Sequence, residues 1–99
     1  MNEKTKLVLI RCARVYIATK NWDKAVSEYE TLYADFPDDP YIIEPLAKAY
    51  YEKGDKFKSK NLYEKVVAIF ASKGDEIKVL RIKTDIAKMF PEASESGQQ

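Results

Sequence analysis

Cys12-Ala13-Arg14-Val15-Tyr16 is matched 34 residues later by Leu46-Ala47-Lys48-Ala49-Tyr50, and this pair of stretches decides the fold. Each places a small residue three positions before a tyrosine, the spacing that brings two side chains onto one face of a helix. The same offset relates a second, separate segment: Tyr29 falls on Tyr63, Glu30 on Glu64 and Leu32 on Val66. One period shared by two segments implies a unit of two helices that occurs twice. Ile86-Ala87-Lys88-Met89-Phe90 carries the first pattern again, but 40 residues after the second copy. The third unit therefore contains six extra residues, expected as an extension of the fourth helix and its turn.

Working outward, helix-forming residues run between four breakers: Lys20-Asn21, Phe36-Pro37-Asp38-Asp39-Pro40, Lys53-Gly54-Asp55 and Lys73-Gly74-Asp75. No run alternates with period two for long enough to suggest a strand. Five helices are expected, over 4–19, 22–35, 41–53, 56–72 and 76–90, with a disordered tail or linker over 91–99. Read alone, the FPDDP segment resembles a linker between two domains. The common period makes it a joint within a single domain over 1–90, with Asp39 as N-cap and Pro40 at the first helical position. In each KGD triplet the glycine suits a left-handed helix end and the aspartate the next N-cap. The second triplet replaces FPDDP at the next joint, which is expected to be longer and looser. Pro45 is expected to be tolerated near the start of the third helix; the alternatives are a helix that starts late, near Ile43, or one that bends. Trp22 is expected to be partly exposed, covering the turn before it.

A 34-residue unit of two helices resembles the tetratricopeptide repeat. Unit one (6–39) has Ala13, Tyr16, Ala25, Tyr29 and Pro37 where that motif wants such residues. Unit two (40–73) has Leu46, Ala47, Tyr50, Gly54, Ser59 and Tyr63 in place, and 76–90 reads as a third half-repeat or capping helix. Two departures stand out: Leu9 and Ile43 occupy the place of the usual tryptophan, and unit two ends on Ala71 where unit one has Pro37. The resemblance implies an all-α fold of antiparallel helix pairs stacked in a right-handed superhelix. Small residues at Ala13, Ala25, Ala47 and Ser59 would let paired helices approach, and the tyrosines would fill the space between units.

The charge balance, 17 basic against 16 acidic residues, gives no general attraction to phosphate backbones, which disfavours nucleic acid as a partner. The lysines from Lys53 to Lys65 are interleaved with Glu52, Asp55 and Glu64, as on a solvated helix face. The apolar run Leu7–Ile10 is too short for a signal peptide or membrane span. A single Cys12 forms no internal disulfide, so a reducing compartment, the cytoplasm, is expected. With no histidine and one cysteine, Ser-His and Cys-His arrangements and nearly all zinc sites are removed. Asp35, Asp38 and Asp39 do not form a calcium loop, because no glycine stands at the sixth place and Leu46 occupies the twelfth. No cofactor and no enzymatic activity are expected.

Function is then expected on a surface. In proteins that the chain resembles, the first helix of each unit lines a concave groove that holds a peptide or helix of a partner. The register places Arg14, Lys48 and Lys88 at equivalent positions as a basic ladder. Ile10, Ile17 and Tyr51 flank it, and Glu44 shares the groove with opposite sign. Such a surface favours an acidic or C-terminal segment, with cations pairing carboxylates. The leading expectation is a non-catalytic scaffold for protein–protein interaction. The alternatives are a self-assembling helical repeat, in which oligomerisation covers an unsatisfied end face, and the adaptor domain of a larger regulatory protein.

Overall fold

Five helices follow one another in a computed structural model that describes residues 1–91: α1 (Glu3–Ala18), α2 (Trp22–Asp35), α3 (Pro40–Lys53), α4 (Lys56–Ser72) and α5 (Glu76–Met89). The tail expected over 91–99 lies, beyond Pro91, outside the described residues. The described residues contain no strand. Side-chain oxygens of Asn2, Asp39, Asp55 and Asp75 accept from backbone amides of the first turns of α1, α3, α4 and α5, at 2.8–3.2 Å. Each satisfies a donor that the helix itself leaves unpaired.

Three of the four connections share one geometry. Lys20, Gly54 and Gly74 have positive φ (60°, 103° and 75°). After each, the next amide bonds five residues back: Asn21 to the Tyr16 carbonyl, Asp55 to Tyr50 and Asp75 to Phe70, at 2.8–3.0 Å. This is a left-handed helix end followed at once by an N-cap. The α2–α3 joint, Phe36–Asp39, has no positive φ and is a four-residue open corner.

The α4–α5 joint departs from expectation. It spans only Lys73–Asp75, one residue fewer than the α2–α3 joint, and it is tight because Gly74 adopts the left-handed conformation. The six extra residues are helical instead. α4 is three residues longer than α2, and α5 begins four residues earlier than α3 does in the repeat register. α3 starts at Pro40 behind its Asp39 cap, as expected, and runs through Pro45; the late start near Ile43 does not occur. Pro45 has no N–H to offer the Tyr41 carbonyl, and that loss is tolerated because Tyr41 is exposed.

Each helix packs on its neighbours in sequence, giving a slab of 47 × 30 × 19 Å whose thinnest dimension is two helix layers. Ala13 and Ala25 are fully buried, as are Ala47 and Ser59. The Ser59 hydroxyl donates to the Ala47 carbonyl at 2.7 Å, so this close approach leaves no buried polar atom unpaired. One apolar cluster lies among α1, α2 and α3 around Leu32, Ile42 and Leu46. Another joins α3, α4 and α5 around Ile43, Val66, Phe70 and Ile82. Tyr33 and Leu62 pack against both clusters, so apolar contact is continuous along the slab.

Candidate functional site

α1 and α3 lie on either side of α2 and leave between them a cleft of about 540 Å³. Ile10, Arg14, Ile17 and Ala18 project from α1, one helical turn after another; Tyr41, Ile42, Pro45 and Lys48 do so from α3. Tyr29 of α2 contributes to the lining from behind them, and Lys6 and Asp39 close one end. Lys6 Nζ lies 3.4 Å from Asp39 Oδ2 and 4.2 Å from the centre of the Phe36 ring. The other carboxylate oxygen of Asp39 caps α3 at the Tyr41 amide, so that end is held on both sides.

The electrostatics follow from which charges are already matched. Asp39 is paired with Lys6, whereas Arg14 and Lys48 make no ion pair among the described residues. The lining thus carries an excess of positive charge beside the apolar surface of Ile10, Ile17, Ile42 and Pro45. Burial pushes the Tyr29 phenol above its ordinary range, and the Arg14 guanidinium nearby draws it partly back. The phenol is therefore a neutral hydrogen-bonding group beside a cation at neutral pH.

Of the residues singled out from sequence, Ile10, Arg14, Ile17 and Lys48 come together in this cleft. Glu44, Tyr51 and Lys88 do not line it. Both Glu44 oxygens are engaged by Arg81 of α5, at 3.0 and 3.2 Å. That fork-to-fork pair raises the Arg81 pKa further and ties α3 to α5. Tyr51 stands edge-on to Phe90, with ring centres 5.5 Å apart. Lys88 is exposed on α5, so the third rung of the basic ladder lies outside the cleft.

Sequence reasoning missed Lys6, Ala18, Tyr29, Asp39, Tyr41, Ile42 and Pro45 as lining residues. A signal existed for Pro45, since a proline within a helix needs a neighbour whose carbonyl can do without an amide. Tyr41 is the largest exposed side chain here, at 66% of its full exposure. Its ring is 6.1 Å from that of Phe70, edge to face, and it also borders a shallower cleft around Phe36–Pro40 and Lys73. Trp22 is half-buried against the first apolar cluster.

Among the described residues no group of His, Cys, Asp or Glu is arranged to hold a metal ion, and no helix is long and apolar enough to cross a membrane. The sequence matches the tetratricopeptide repeat family over residues 8–39 and 46–72, and the chain belongs to that family. Repeats of this kind generally mediate protein–protein interaction and are typically non-catalytic. A comparison with curated proteins finds no match.

Proposed function

We propose that this chain is a non-catalytic interaction module that binds an acidic segment of a partner protein in the cleft between α1 and α3. The observation that carries this reading is the pair of unmatched cations, Arg14 and Lys48, set among Ile10, Ile17, Ile42 and Pro45. Unmatched cations beside apolar surface favour a ligand that alternates carboxylates with aliphatic side chains. The carboxylates pair with Arg14 and Lys48, and the aliphatic groups bury area against isoleucine and proline. Tyr41 is the aromatic contact at the mouth, and the Tyr29 phenol is available to a polar ligand atom. Lys88, Glu44 and Tyr51 belong to a second stretch of surface along α3 and α5, which a longer ligand reaches after leaving the cleft.

Fluorescence anisotropy with labelled Glu-Leu-Glu-Leu-Glu and Lys-Leu-Lys-Leu-Lys peptides tests the reading. The acidic peptide is expected to bind, with affinity falling as salt is raised, and the basic one is not. Arg14→Glu/Lys48→Glu is expected to weaken acidic-peptide binding at least tenfold with an unchanged circular dichroism spectrum. A folded double variant with full affinity removes the cleft from the proposal.

A further inference from the structure

Tyr29 is only 3% exposed, and its hydroxyl has no hydrogen-bond partner among the described residues, whereas those of Tyr33 and Tyr50 are taken up by Lys65 and Glu30. Among the described residues no polar side-chain atom is both buried and unpaired, so the hydroxyl is the part of Tyr29 that stays open. It opens onto the cleft between α1 and α3, whose floor Tyr29 forms. Tyr63 shows what is particular to this floor. It stands 34 residues after Tyr29, is 5% exposed, and likewise has no partner for its hydroxyl among the described residues. Burial and the carboxylates of Glu44, Asp85 and Glu52 push its phenol up, and Arg81 draws it partly back. A carboxylate brought there meets like charge. At Tyr29 the charged group that acts on the phenol is Arg14, which makes no ion pair among the described residues. The two tyrosines are equivalent in the repeat, but the first alone of the pair offers a free donor beside an unmatched cation.

We infer that Tyr29 and Arg14 together seat one side-chain carboxylate of the ligand, and that this seat fixes the register in which an acidic segment lies in the cleft. The inference rests on the cleft being the binding site. One carboxylate oxygen accepts from the Tyr29 hydroxyl and the other from the Arg14 guanidinium, which leaves Lys48 for a second acidic residue. Tyr29 lies behind the residues that α1 and α3 project, so what reaches it is a group standing off the ligand backbone, a side chain. The floor also discriminates. In the free protein the hydroxyl is open to solvent. A ligand that covers it with an aliphatic group leaves it unpaired, and one that brings a carboxylate satisfies it in surroundings where a charge-assisted hydrogen bond is strong.

The test uses the intact protein and a labelled, C-terminally amidated Glu-Leu-Glu-Leu-Glu peptide, together with the three versions that carry glutamine in place of one glutamate. One of the three is expected to lose about tenfold in affinity and the other two less. Tyr29→Phe is expected to weaken the parent peptide by about fivefold or more, and to shrink the loss caused by that one glutamine, because two groups in contact are not additive. Its thermal midpoint is expected to stay unchanged, since the hydroxyl has no protein partner to lose. Tyr50→Phe, which removes the bond to Glu30, is expected to lower the midpoint and leave binding intact. Full affinity in Tyr29→Phe, or equal losses from the three glutamine peptides, overturns the inference. If Arg14→Glu/Lys48→Glu still weakens binding in that case, the cleft reading stands without it. A free-acid peptide that binds more tightly than the amide to the unaltered protein, but not to Tyr29→Phe, also overturns it by giving the seat to a C-terminal carboxylate. No binding of any acidic peptide removes both readings.

Discussion

The two joints that lead from a second helix to the next first helix solve one problem in different ways. Phe36–Asp39 is open: it has four residues, two flanking or internal prolines, no left-handed residue, and anchors at Phe36 and at the Lys6–Asp39 pair. Lys73–Asp75 is closed: it has three residues, a left-handed Gly74 and a bond from the Asp75 amide to the Phe70 carbonyl. The difference shows that a change in repeat length need not be stored in a loop. Here it is absorbed as extra helix on both sides of the shorter joint, and the added turn of α5 brings Lys78 to within 5.5 Å of the Phe70 ring centre, beside Tyr41. An open corner can be held by contacts from elsewhere. A closed one depends on its own backbone and on the aromatic residue beneath it.

The largest effect that would sharpen this contrast is at that aromatic residue. Phe70→Ala is expected to cost about 3–5 kcal/mol in chemical denaturation, since the ring is almost fully buried. Phe36→Ala, at a half-buried ring, is expected to cost about 1–2 kcal/mol. Equal losses would mean that the two joints bear similar loads after all.

Alkaline pH probes the interfaces on either side of the joints. Burial raises the Tyr29, Tyr50 and Tyr63 pKa values above the ordinary 10.0, and at Tyr50 the hydrogen bond donated to Glu30 adds to the effect. Above pH 10 the folded state therefore holds protons that the unfolded chain releases. Stability present below that pH falls as pH rises, and the thermal midpoint is expected to drop steadily from pH 10 upward. Phenolate absorbance should show three tyrosines that ionise only with unfolding. Glu30→Gln is expected to let Tyr50 ionise earlier and to leave Tyr63 unchanged.

Smaller effects concern the backbone. Gly74→Ala meets no atom within 4 Å, so its expected cost of about 1 kcal/mol comes from the left-handed backbone alone. Lys20 adopts the same conformation without being glycine, and Lys20→Gly is expected to add up to about 1 kcal/mol of stability. Asp39→Asn keeps a capping oxygen and loses only the ion pair to Lys6, so a change of about 0.5 kcal/mol or less is expected. A larger loss would show that the Lys6 contact, and not the cap, holds the open corner.

Much of this was legible in particular residues. Ala13, Ala25, Ala47 and Ser59 announced the close helix approaches, and Asp55 and Asp75 announced their caps, because both depend on local geometry and a fixed period. Part of the cleft was legible for the same reason: Ile10, Arg14, Ile17 and Lys48 follow from which face of α1 and α3 is turned away from α2. Glu44 and Tyr51 lie on the same helix as Lys48, and the repeat register alone does not separate them from it. Their partners, Arg81 and Phe90, come from α5, whose position depends on how the six extra residues are accommodated.

The sequence by itself determined that this protein is a stack of helix pairs with a 34-residue register, since that requires only periodicity, small residues at fixed places and turn chemistry. It also determined that α1 and α3 carry equivalent cations. Only the tertiary structure decided which of those cations share a cleft, which charges are already matched, and that α5 begins a turn early. Those outcomes depend on distances between residues about 40 positions apart in the chain, and such distances are set by packing rather than by any local pattern.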